Sequence, residues 1–134
     1  MGIAAGYETT VLVIGLMGLL QFVQLLVADV TAIKQGKTPG YPTTPDHRSF
    51  LFRSERAFMN TNESVAIFIL FAGFAILSSA NPYWLNFLAT SFGLARLLHM
   101  LFYYLGVKLA RSAVFVISLI SLAGMFAVGL RQWI

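Results

Sequence analysis

The chain has 134 residues, of which 58% are hydrophobic and 10% charged, with a mean hydropathy of +0.79. It is too apolar for a soluble domain and too short for two domains, so residues 1–134 read as a single membrane bundle. The net charge of +4 comes with no basic tail or interleaved basic-aromatic strand, which argues against nucleic acid and for a small anion as partner.

Thr9 to Ala28 is uncharged between Glu8 and Asp29 and is long enough to cross a ~30 Å hydrocarbon core. Glu8, with no basic residue before the apolar stretch, favours an uncleaved first helix over a signal peptide. Gln35 to Arg48 then holds Gly36, Pro39, Gly40, Pro42 and Pro45, which defeats regular structure and predicts the one long loop. The uncharged run from Ser64 to Ala95 is too long for one span. It breaks at Ser78-Ser79-Ala80-Asn81-Pro82, so helices are expected over about 50–79 and 83–104. Ser112 to Leu130 follows the Gly106-containing link as a fourth helix. The expected fold is an all-α, four-transmembrane-helix up-down bundle, without internal repeats.

Lys34, Lys37, Arg48, Arg53 and Arg56 cluster in or near the first connection, Lys108 and Arg111 in the third, and the second is uncharged. By the positive-inside rule the first and third connections face the cytoplasm, and both termini and the Ser79–Pro82 turn face the other side. Arg131 alone departs from that pattern.

Within the apolar helices two polar stripes stand out. Arg56, Asn60 and Glu63 share one face of the second helix, and Arg96, His99 and Tyr103 share one face of the third. Charged groups at membrane depth are costly and mark functional sites by default. Glu63 is placed to pair with an arginine across a helix interface, which would make the stripes polar glue. Against that, Arg53, Arg56, Arg96 and Arg111 outnumber Glu55 and Glu63, and surplus arginines in a pocket expect an anionic ligand. Both stripes occupy the cytoplasmic half, as a one-sided pocket requires and a full-length ion or proton path does not.

Arg111-Ser112 opens the fourth apolar run. Its spacing alone favours a helix cap with an interfacial arginine; the alternative is a guanidinium and hydroxyl that stabilise a thiolate. With no cysteine in the chain, such a thiol must arrive with a ligand. Asp29 reads as a helix-end residue or interhelical partner. His99 reads as a hydrogen-bonded interior residue, since no second histidine or cysteine stands at metal spacing, and no metal is expected.

Arg56-Ala57-Phe58-Met59-Asn60-Thr61-Asn62-Glu63 resembles the R-A-x-x-N-x-x-E signature of the membrane-associated proteins in eicosanoid and glutathione metabolism. Ala95-Arg96-Leu97-Leu98-His99 with Tyr103, then Arg111-Ser112, resembles that family's third helix and the start of its fourth, most of all in its prostaglandin E synthase branch, as a bacterial-type relative. The resemblance covers nearly the whole chain. It implies a homotrimer in a bacterial inner membrane rather than endoplasmic reticulum, with glutathione bound between subunits on the cytoplasmic side and a hydrophobic small-molecule substrate entering from the lipid bilayer. Asn60 and Glu63 would hold the amino end of glutathione and Arg56 would organise that network. Arg96, His99 and Tyr103 would line the site, and Arg111 and Ser112 would sit nearest the sulfur. Met59 and Thr61 stand where the synthase branch has arginine and aspartate, and Phe115 replaces a tyrosine. The link from Tyr103 to Arg111 is one residue shorter, which leaves Tyr104 as an alternative lining residue. The expected function is a membrane glutathione transferase or peroxidase. A prostaglandin-type isomerase, an ion path and a non-catalytic lipid-binding scaffold are the alternatives.

Overall fold

The structure, a computed structural model, describes residues 2 and 4–134. Among these residues it has four α-helices, each long and apolar enough to cross a membrane: α1 (Glu8–Lys34), α2 (Phe50–Leu77), α3 (Pro82–Leu105) and α4 (Lys108–Leu130). Local sequence sets the boundaries. Ser49 caps α2 by accepting from the Phe52 amide at 3.4 Å, and Asn81 caps α3 by accepting from the Trp84 amide at 3.3 Å, with Pro82 at the first helical position. Gly106 ends α3 in the left-handed region at φ 74°, a conformation that costs glycine least.

Three boundaries differ from the hydropathy reading. The first helix continues six residues past Ala28, because a helix does not stop where charge begins and exposed Asp29 and Lys34 reach water from its last turns. The second stops at Leu77, since Ser78 is its C-cap and Ser79 adopts φ 55°. The fourth starts at Lys108 rather than Ser112. Val107 is therefore the N-cap and Ser112 lies one turn inside, its hydroxyl donating to the Lys108 carbonyl at 3.1 Å, so the helix-cap reading of Ser112 is set aside.

The helices α2 and α3 form the centre of the bundle. Helix α1 packs on both from one flank and α4 on both from the other; among the described residues α1 and α4 do not touch. The inward stripe of α1 is Thr10, Val13, Met17, Gln24 and Ala28, and that of α2 is Ser54, Ala57, Thr61, Phe68, Ala72 and Ala75. Phe68 and Phe92 stack between α2 and α3 at 4.6 Å. Small residues bring the backbones close. A Cβ on Gly129 would stand 2.7 Å from the Phe74 ring and 3.2 Å from the Ala75 Cα.

Polar contacts bring three segments to one end of the bundle. Tyr7 donates to the Ala80 carbonyl at 2.6 Å, the Asn86 amide to the Gly6 carbonyl at 2.8 Å, and the Trp133 indole to Ser78 Oγ at 2.8 Å. Both ends of the described chain thus sit beside the α2–α3 turn. At the opposite end the 35–49 loop lies over α2, held by a Lys37–Glu55 ion pair and by Arg53 Nη1 donating to the His47 and Arg48 carbonyls. A C-terminal reporter active only in the cytoplasm is expected to stay silent, because the basic end carries the loop. Strong signal would reverse the orientation.

Candidate functional site

Arg96 is the centre of the polar interior. It is fully buried, and its Nη2 donates to Asn60 Oδ1 at 2.6 Å and Thr61 Oγ1 at 3.3 Å on α2. The same nitrogen stands 3.3 Å from His99 Nδ1. A guanidinium only donates and Nη2 carries two protons, so these three neighbours compete for them. The register behind this cluster is simple: Thr61 and Arg96 lie on the inward stripes of two antiparallel helices and meet at one level.

Arg96 is nevertheless poorly satisfied. Its Nε and Nη1 are buried without a hydrogen-bond partner, and among the described residues no carboxylate lies within ion-pair distance. An unmatched buried charge of this kind is costly and invites an anion.

A second cation stands one turn into α4. The Arg111 guanidinium lies over the Tyr103 ring, 4.2 Å from its centroid. Tyr103 is buried and meets His99 edge-on at 5.1 Å, and Phe115 lies 6.1 Å from His99. Arg96, His99, Tyr103 and Arg111 therefore form one continuous group. Tyr104 points elsewhere: its ring tilts on Phe50 at 5.4 Å and its carbonyl accepts from Arg53 Nη2 at 3.3 Å. Between the two tyrosines, it is Tyr103 that joins the group.

The α2 stripe divides. Asn60 turns to Arg96, but Arg56 lines a pocket of about 480 Å³ under the loop, with Asp29, Lys37, Thr43, Phe52 and Glu55. Glu63 is exposed, and among the described residues it meets no cation within ion-pair distance, which corrects the expected pairing with an arginine inside the bundle. Its neighbour Asn62 instead accepts from Gln21 on α1 at 2.7 Å. Ser112 is exposed and bonded back to its own helix.

Sequence reasoning missed two residues. Thr61 figured only as a departure from an aspartate, yet it accepts from Arg96. Gln24 is fully buried with neither amide atom bonded, and its signal was a polar side chain in the apolar 3-4 repeat of α1.

A bundle of four apolar helices with cations gathered inside one half defines a polytopic α-helical membrane protein with a cationic interior. Residues 9–131 match the model of the MAPEG family, and the chain belongs to that family. No curated protein matches it. Membership gives an integral, multi-pass membrane protein with a glutathione-related role of the transferase or isomerase type.

Proposed function

We propose that the protein is a membrane glutathione transferase, with peroxidase activity open to the same site. The observation that carries this reading is the pair of guanidiniums with no carboxylate within ion-pair distance among the described residues, Arg96 with two orphaned buried nitrogens and Arg111 on its aromatic support. They fit glutathione, whose carboxylates and ionised sulfur are all anionic. When bound, glutathione supplies the thiolate nucleophile for a lipophilic electrophile or peroxide.

The protein's share is binding and charge. Asn60 and Glu63 hold the amino end, Arg56 its surroundings, and Arg96, His99 and Tyr103 line the cavity, while Arg111 places positive charge at the sulfur. Arg56 opens toward α1 and Arg111 belongs to α4, on opposite flanks of the α2–α3 centre. A ligand touching both would bridge two copies, which supports a homotrimer with shared sites. A groove of about 390 Å³ between α1 and α3, lined by Met17, Leu20, Val23, Leu94, Leu97 and Met100, offers a hydrophobic substrate an approach from the bilayer. The reading places the site on the cytoplasmic side of a bacterial inner membrane. Thr61 supports transfer over prostaglandin-type isomerisation, because its hydroxyl is engaged by Arg96 and it brings no carboxylate. An ion path finds no support beyond the site, where Phe68, Phe92, Leu85 and Met125 fill the core.

The test is thermal stability in detergent. A ligand that binds only the folded state stabilises it by about 2.7 kcal/mol at a hundred times its Kd, so glutathione at millimolar concentration should raise the melting temperature. No shift would move the reading to a scaffold.

A further inference from the structure

We propose that Tyr103 is a positioning residue whose ring face holds the Arg111 guanidinium in place, and that its hydroxyl is dispensable for this role. The inference rests on the assignment of Arg111 to the thiol site. An arginine side chain is long and flexible, and among the described residues Arg111 has no carboxylate to hold it. What it has is the Tyr103 ring, 4.2 Å away, well inside the reach of a cation–π contact.

That ring is itself fixed. It is buried, His99 abuts it at 5.1 Å, and Phe115, one turn beyond Arg111 on α4, closes on His99 from the other helix. The contact spans α3 and α4, so it also fixes the depth at which the guanidinium sits. A carboxylate partner would hold Arg111 equally well but would neutralise it and consume its N–H donors. An aromatic face attracts the cation and leaves its charge and donors available to an anion. The device suits a site that must present positive charge rather than store an ion pair.

The prediction separates ring from hydroxyl. Because the ring remains, glutathione bound to Tyr103→Phe should keep most of the near-ultraviolet thiolate absorbance, and the pH dependence of that signal should shift less than in Tyr103→Leu. Tyr103→Leu should still bind glutathione, through the remaining residues, but its thiolate fraction near neutral pH should fall by roughly two- to thirtyfold, the range a cation–π contact spans. Tyr103→Met repeats the comparison if the leucine variant does not fold. An unchanged thiolate signal in the leucine or methionine variant overturns the proposal. So does a phenylalanine variant that loses the signal as fully as leucine, since the hydroxyl would then be the acting group. If the wild-type protein binds glutathione without excess thiolate, the transferase reading fails and this inference falls with it.

Discussion

Replacing Arg96 with methionine is expected to raise the melting temperature of the ligand-free protein while removing most of its affinity for glutathione. The guanidinium is fully buried and, among the described residues, two of its nitrogens have no hydrogen-bond partner and no carboxylate lies within ion-pair distance. Removing a charge from such surroundings in favour of an apolar side chain of similar length is neutral or stabilising by about 1–4 kcal/mol. Three contacts are lost, to Asn60, Thr61 and His99. Asn60 is only half-buried, and the Thr61 and His99 contacts are long at 3.3 Å, so the charge effect prevails. Affinity moves the other way, because a hydrogen bond from a charged group is worth about 1.5–3 kcal/mol, or roughly ten- to a hundredfold in Kd. Differential scanning of the detergent-solubilised variant with and without glutathione reads both effects. A lower melting temperature with unchanged affinity would make Arg96 interhelical glue.

The opposed signs illustrate what a sequence can and cannot carry. Four spans, their punctuation at Asn81-Pro82 and Gly106, and the inward faces bearing Asn60, Arg96, His99 and Tyr103 were all legible, because each depends on residues close together in the chain. Contacts between helices were not. The spacing of Arg56, Asn60 and Glu63 puts them on one stripe, yet Asn60 meets α3, Arg56 meets the loop-covered pocket and Glu63 lies on the exposed surface of the bundle. A stripe about ten ångströms long is wide enough to face several neighbours, and only the packing of α1 and α3 against α2 decides which residue meets which. Gln24 escaped for a related reason: a search for charged residues passes over a neutral amide, although burying one unbonded is itself costly. Ser112 was misplaced because Lys108 and Arg111, which start α4, mimic a connecting loop in hydropathy.

Arg111→Ala should abolish most of the excess thiolate seen when the wild-type protein binds glutathione near neutral pH. A free thiol ionises with a pKa of ~8.5, and a positive charge within about 4–6 Å lowers such a value by roughly 1–3 units. Each unit is a tenfold change in the ratio of thiolate to thiol. Because the thiolate is the reacting form, the pH–rate profile rises through the thiol pKa; losing Arg111 should move that rising limb toward alkaline pH by the same amount. Rates should recover at high pH, which a variant with a collapsed site would not do. Ser112→Ala should have a much smaller effect, since the Ser112 hydroxyl already donates to the Lys108 carbonyl and brings no charge. A titration of thiolate absorbance across both variants ranks the two residues directly. If Ser112→Ala shifts the limb as far as Arg111→Ala, the hydroxyl rather than the guanidinium field ionises the thiol, and Arg111 is left as an anchor for the ligand carboxylates.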